Sequence, residues 1–254
     1  MQDIQRQFGR QAGQYSASRS HAAGESLEAV RRLVGTGPYN RGLDVATGAG
    51  FTAFAIAPRC KQTLALDATP EMLREAIRIA SEHGLDSVGF ALGNAEALPF
   101  SNASFDLITC RSSAHHFANV GAFLREAARL LTVGGILVVS DPVSPEDESL
   151  VSFLDHVETL RDPTHVHDLR VSEWVGLMES AGLAIEQVEV VLTPQIFDDW
   201  VHRSGTSYDS IEKLRPLFSQ PGPEIRAAFG VREEPDGIHF GWDTAVIRAR
   251  KAVA

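Results

Sequence analysis

Residues 41–52 read RGLDVATGAGFT, and the rest of the chain is legible outward from them. An apolar run with a carboxylate near its end, Gly42 to Val45 with Asp44 inside it, gives way to Ala46, Thr47, Gly48, Ala49 and Gly50. An apolar helix-like segment follows from Phe51. This is the profile of a strand, a tight glycine turn and a helix start. Such a turn brings backbone N–H groups close to a ligand, because no Cβ stands in the way. By itself it is equally compatible with a plain strand–helix connection, since it is not GxGxxG.

Upstream, Ile4, Phe8, Ala12 and Tyr15 form one stripe of an amphipathic helix, and a second helical pattern runs from Glu25 to Leu33. Downstream, strands are expected at Gln62–Asp67, Val88–Leu92, Phe105–Cys110 and Ile136–Asp141. Between them lie helices, one begun by Thr69 and Pro70 and stopped at Gly84, its buried face carrying Met72, Leu73, Ala76, Ile77 and Ala80. Strands alternating with helices imply a parallel sheet covered on both faces, and the run ILVV suits a doubly buried strand. After Asp141 the pattern loosens. Helices near 149–160 and 172–181, a strand at 183–192, short helices over 195–229 and a last strand at 238–248 are expected. The organisation expected is one domain over 1–254. It has a helical cap (1–37), a ligand-binding core (38–141), cover insertions (142–171 and 193–236), and segments 172–192 and 237–254 completing the sheet.

The net charge of −10, with no basic block, disfavours a nucleic-acid partner. Cys60 and Cys110 are far apart and stand in no metal-type spacing, so they read as reduced thiols. The first residues carry no apolar signal core and no run is long enough for a membrane span, so a soluble, cytoplasmic chain without stable membrane insertion is expected.

In an open α/β sheet, ligands sit at the carboxyl ends of the strands near the switch point. Asp44, Gly48, Gly50, Asp67, Asn94 to Glu96 and Arg111 to His116 are placed there by the reading above. Asp67 follows Gly50 by 17 residues and ends the second strand, where a carboxylate accepts from both hydroxyls of a ribose or caps a helix. Asn94 offers an amide that donates and accepts at a heterocycle edge.

Four segments in order, LDVATGAG, LALDATPEML, GNAEALPFSNASFDLI and FLREAARLLTVGGILVVSD, resemble the class I S-adenosylmethionine (SAM)-dependent methyltransferases. The likeness is densest over residues 41–141 and strongest to the ubiquinone/menaquinone-biosynthesis C-methyltransferase branch. It implies a Rossmann-like, doubly wound α/β fold with a mostly parallel seven-stranded sheet and an antiparallel last strand. It also implies SAM as cofactor, held by Tyr15, Asp44, Ala46, Thr47, Gly48, Gly50, Asp67, Ala68, Met72, Asn94, Ala95, Glu96 and Arg111. Asp67 would take the ribose, Met72 and the Asn94–Ala95 pair the adenine, and Arg111 and Tyr15 the methionine end. Ala46 stands where the family has its first motif glycine, an exchange tolerable if the backbone there has negative φ.

His115 and His116 follow RSSA at the expected rim, where one could serve as general base, His116 ahead of His115; a structural pair with one exposed is the other reading. In the segment THVH, His165 and His167 point the same way if extended and could contact a substrate. As metal ligands they would lack an obvious third partner, with His21, His156 and Asp168 the options, and no metal is expected. Trp200 is assigned to core or to substrate contact. Methyl transfer is an in-line displacement that needs alignment more than a fixed catalytic motif. With no NPPY-like segment, the expectation is transfer to carbon or oxygen of a small organic acceptor, with a homodimer left open. The alternatives are a nucleotide-dependent Rossmann oxidoreductase and a SAM-binding protein without catalysis.

Overall fold

The computed structural model describes residues 2–17 and 22–252, the side chains of 14–17 excepted. Helices α1 (Gln2–Ala17) and α2 (Glu25–Val34) precede the first strand, β1 (Tyr39–Val45). There follow α3 (Phe51–Ile56), β2 (Cys60–Asp67), α4 (Pro70–Glu82), β3 (Val88–Leu92), β4 (Phe105–Arg111), α5 (Val120–Leu130) and β5 (Leu131–Pro142). The second half runs α6 (Glu148–Arg161), α7 (Val171–Ser180), β6 (Leu183–Ile196), α8 (Phe197–Arg203), α9 (Tyr208–Ser219), α10 (Pro223–Phe229), β7 (Arg232–Glu234) and β8 (Gly237–Lys251).

The strands form one sheet in the order β3-β2-β1-β4-β5-β8-β6. β1 to β5 are parallel, and β8 runs antiparallel between β5 and β6. Strand order reverses at the β1/β4 boundary, where Asp44 lies opposite Thr109. This is the mostly parallel, doubly wound sheet expected, with one addition. The short β7 pairs with β8 as a hairpin inside the segment read as cover. β6 also runs four residues further than expected, through Pro194 to Ile196. A proline is tolerated there because β6 is an edge strand, bonded on one side only.

The central strands bury both faces, as a parallel sheet under two helix layers must. One face of the sheet packs against α5 and α7 around Phe105, Phe123, Leu137 and Trp174, and the other carries α2 and α3 around Val30, Ile56 and Val138. Asn119 caps α5 by accepting from Ala122 N at 2.8 Å, which satisfies one orphan N–H of its first turn. In α4 the buried face is Met72, Leu73, Ala76, Ile79 and Ala80; Ile77 is exposed, contrary to expectation. The stripe wraps through Ile79 rather than Ile77 because 76, 79, 80 is the spacing of one helix face. A separate aromatic cluster of Phe197, Trp200, Phe218, Phe240 and Trp242 joins α6, α8 and α9 to the start of β8. Trp200 and Trp242 of that cluster face the same cavity as Arg111 and Pro142 at the carboxyl ends of β4 and β5. No described helix is long and apolar enough to cross a membrane.

Candidate active site

The chain leaves β1 through three left-handed residues: Ala46 (φ 53°), Gly48 (φ 55°) and Gly50 (φ 92°). The negative φ expected at Ala46 is therefore overturned. The turn is closed by Thr47 N donating to Leu66 O at 2.9 Å and Gly50 N to Thr47 O at 2.9 Å, and these bonds hold Ala46 in a conformation a Cβ disfavours. The two glycines differ. A Cβ on Gly48 would enter open space, whereas one on Gly50 would lie 2.3 Å from the Phe54 ring. Gly50 thus serves the close approach of Phe54, and Gly48 lines the cavity.

Asp44 turns away from that cavity. Its carboxylate accepts from the hydroxyls of Thr47 at 2.6 Å and Thr109 at 2.7 Å. Burial pushes its pKa up to about 6, against the pull of those two bonds. Its place is behind the turn, not in the ligand wall. Asp67 does line the cavity and is buried. Its two oxygens accept from Gly48 N and Thr69 N, each at 2.8 Å. Burial raises its pKa and those backbone donors oppose the rise. Asn94 Oδ1 accepts from Glu96 N at 3.1 Å, and Glu96 in turn accepts from Asn119 N at 2.9 Å. Ala46, Thr47, Gly48, Asp67, Ala68, Met72, Asn94, Ala95, Glu96 and Arg111 all border one cavity. Ile4 and Phe8 of α1 close its top, with Gln5 Nε2 tied to Ala68 O at 2.8 Å. Their sequence signal was the α1 stripe. The side chain of Tyr15 lies outside the described residues.

At the end of β4, Arg111 folds across the sheet edge. Its Nε donates to Thr52 Oγ1 at 2.9 Å and its Nη1 to Ser26 Oγ at 3.3 Å. Burial lowers its pKa to about 10, with Asp44 opposing. The next turn is held by Asp141, a residue the sequence reading passed over. Its carboxylate accepts from the backbone N–H groups of Ser113 (2.8 Å), Ala114 (3.2 Å) and His115 (2.8 Å), and from His115 Nδ1 at 3.1 Å. The available signal was the third aspartate to end a central strand, after Asp44 and Asp67.

The two histidines differ in charge. For His115, burial favours the neutral ring, but the Asp141 carboxylate overrides it and raises the pKa to about 9. For His116, burial and the neighbouring His115 charge act together and hold the pKa well below the usual histidine range. His116 Nδ1 lies 3.1 Å from Thr164 O. A carbonyl only accepts, so Nδ1 carries the proton and Nε2 keeps its lone pair. Neither ring is freely exposed, since His116 is 8% and the His115 side chain 13% exposed. The alternative of one exposed and one packed ring does not hold. Phe8 packs edge-on against His116 at 4.9 Å.

A second cavity adjoins the first and shares Phe8, Arg111, Ser112 and His116 with it. Its far wall carries Arg161, Arg203, Trp200 and Trp242. His165 and His167 border neither cavity. His165 is buried, its Nε2 3.9 Å from both Asp155 and Asp168, while His167 Nδ1 meets Asp155 at 3.1 Å on the outside. The backbone of this segment matters more: Val166 N (2.9 Å) and His167 N (3.3 Å) donate to His115 O, bracing the histidine turn from behind. Among the described residues no group of three His, Cys, Asp or Glu is arranged to hold a metal ion; His21 lies outside them. Trp200 borders the second cavity while belonging to the aromatic core, so both readings of it meet in one side chain.

A family profile described as "Methyltransferase domain" matches residues 43–139. The chain is 35% identical to the uncharacterized methyltransferase YcgJ of Bacillus subtilis, covering 91% of each protein. It is 30% identical to a ubiquinone biosynthesis O-methyltransferase of Xanthomonas oryzae pv. oryzae over 66% of this chain and 70% of that protein. The crystal structure of YcgJ superposes with a TM-score of 0.85, covering 90% of this chain and 99% of that one. Fold, family profile and relatives agree, and the chain belongs to the S-adenosylmethionine-dependent methyltransferases.

Proposed function

We propose that this protein transfers the methyl group of SAM to carbon or oxygen of a small organic acceptor seated in the second cavity. The observation that carries this reading is that two cavities of different character meet at Phe8, Arg111, Ser112 and His116. A two-substrate displacement needs such a seam, because the reacting atoms must be brought into line with water excluded.

The first cavity suits SAM on its own chemistry. The wall at Gly48 is open to a ligand backbone, and Asp67 is a buried carboxylate aligned by two N–H groups with acceptor capacity to spare. Asp67 would hold the ribose, Met72, Asn94 and Ala95 the adenine, and the Gly48 turn the methionine end. Bound SAM supplies a methyl on a positively charged sulfur. The chain supplies position. α1 seals the top through Ile4 and Phe8, and the tie from Gln7 Nε2 to Ser204 O at 2.7 Å joins α1 to the cover. At the seam, His116 Nε2 is a lone pair on a ring that burial keeps neutral. His116 would take the proton that an acceptor O–H or acidic C–H gives up, a reading supported by its bordering both cavities. His115, held charged by Asp141, is a positioning residue for the turn.

Calorimetry with SAM, S-adenosylhomocysteine and NAD tests the reading. Binding of the first two without NAD is expected. Binding of NAD alone would replace this proposal with an oxidoreductase. With an acceptor panel assayed by S-adenosylhomocysteine release, His116→Ala is expected to lower turnover while leaving SAM affinity within about threefold, on the order of one lost weak contact. Equal loss in both would make His116 structural.

A further inference from the structure

We propose that β6 pairs with β6 of a second copy of this chain, antiparallel about a two-fold axis at Val190. The pairing does not depend on what either cavity binds.

β6 ends the sheet, and none of the described strands pairs with its outer edge. A strand in that position offers a row of backbone N–H and C=O groups to another strand. The regular part of β6 is bounded on both sides. Its register with β8 is interrupted at Glu186, and Pro194, which has no N–H to donate, stands at the other end. Between these breaks Gln187 to Thr193 pair without interruption with Arg248 to Trp242, and Val190 is the midpoint. On one face of this stretch Val188, Val190 and Leu192 are 38%, 52% and 61% exposed. Beside them in register, Ile247 and Ala245 of β8 are buried in the main core. The apolar layer on this face of the sheet therefore runs past β8 and ends in water at β6.

The occupant is a second copy because the stretch is complementary to itself. A two-fold axis at Val190 sets Val190 opposite its own equivalent, Val188 opposite Leu192, and Gln187 opposite Thr193. Opposite residues in an antiparallel pair share a face, so each exposed apolar side chain of the edge gains an apolar partner. No two like charges stand opposite each other. An axis at Glu189 would instead set that carboxylate against itself and Glu186 against Leu192. In the register centred on Val190, Glu189 stands opposite Val191 on the other face, and it arrives with its charge matched by Arg32 at 3.1 Å. A strand of an unrelated protein would have to reproduce this order of apolar and polar residues; a second copy does so by symmetry. Such an isologous contact closes at two copies. The other edge strand, β3, offers only Leu92 as a large exposed apolar residue, which gives no comparable stripe for head-to-tail growth.

Sedimentation velocity of the full chain over about a hundredfold range of concentration tests this, and a monomer–dimer equilibrium is expected. Val190→Lys sets two ammonium groups face to face on the axis and should raise the dissociation constant roughly tenfold or more. Its melting temperature in the monomer should stay within about 2 °C of wild type, because the side chain is half-exposed there. Val190→Cys reads the register directly. Opposite residues of an antiparallel pair lie about 4.5–5.5 Å apart at Cα, within disulfide range, so this variant is expected to cross-link to itself on mild oxidation. Wild type, with Cys60 and Cys110, and Ile77→Cys, exposed on α4, set the background. A monomer at every concentration, assemblies that grow past two copies, or a dimer that Val190→Lys leaves intact overturns the proposal. A dimer in which Val190→Cys links no faster than Ile77→Cys overturns the register, and this outcome is readable even if the lysine variant fails to fold.

Discussion

Ala46 is the residue at which the turn departs from expectation. Its φ of 53° places a Cβ in the left-handed region, at a cost of about 1 kcal/mol. Ala46→Gly relieves that strain and adds unfolded-state entropy, so a net gain of roughly 0.5 kcal/mol is expected. Urea titration checks it, and a loss of stability would mean the alanine methyl packs productively. Asp67 is the buried carboxylate that lines the first cavity, proposed above to hold the SAM ribose. Its carboxylate also accepts from Gly48 N and Thr69 N, so Asp67→Ala is expected to weaken SAM binding by about 1–3 kcal/mol. Unchanged affinity by calorimetry would remove Asp67 from the site. Both residues were legible in the sequence because each stands at a strand end marked by small or acidic neighbours. The φ at Ala46 was not legible, because backbone torsion there is imposed by the pull of Leu66 O on Thr47 N across two strands.

At the scale of elements, the turn after β4 is held in place by β5. One carboxylate, Asp141, gathers three backbone N–H groups and an imidazole. His115 has its pKa raised to about 9 by Asp141, against burial. Relative to an unfolded value near 6.5, its stabilisation is fully present below that pH and is lost as pH rises toward 9. His116 has the opposite sign. Its pKa is depressed, so its contribution is intact above about 6.5 and lost as pH falls below it. The wild-type unfolding free energy is therefore expected to decline between pH 6.5 and 9, by on the order of 3 kcal/mol from His115, with the melting temperature falling in step. His115→Gln should flatten that decline. Parallel pH profiles of the two proteins would show that His115 is not the titrating group. Strand ends and the His-His pair were readable from sequence. Their coupling was not, because β4 and β5 become neighbours only in the sheet.

At the scale of the molecule, the strand ends of the parallel core border the first cavity and the aromatic cluster borders the second. Phe218 of α9 lies 4.5 Å from Phe240 and 5.4 Å from Trp200, ring centre to ring centre, and is 1% exposed. Phe218→Ala is expected to cost about 3–5 kcal/mol by opening a cavity that its neighbours cannot refill. Because the cluster borders the second cavity rather than the first, S-adenosylhomocysteine affinity of the folded variant should stay near wild type. A comparable loss of both, by denaturation and calorimetry, would mean that cover and core form one cooperative cofactor site.

The order of strands and helices through Asp141, the glycine turn, and the placement of Asp67 and Asn94 at successive strand ends follow from the amino-acid sequence alone. These depend on local periodicity and on residues whose backbone preferences are intrinsic. Tertiary structure decided which way the marked residues face. Asp44 and Gly50 turn into the fold, and the THVH segment braces the histidine turn rather than lining a cavity. The wall of the second cavity is also a tertiary product: Arg161, Arg203 and Trp242 come from three elements spaced along the last hundred residues, and only tertiary packing brings them to one cavity. Sequence alternation tells which side chains share a face; long-range packing alone determines whether that face meets core, cavity or water.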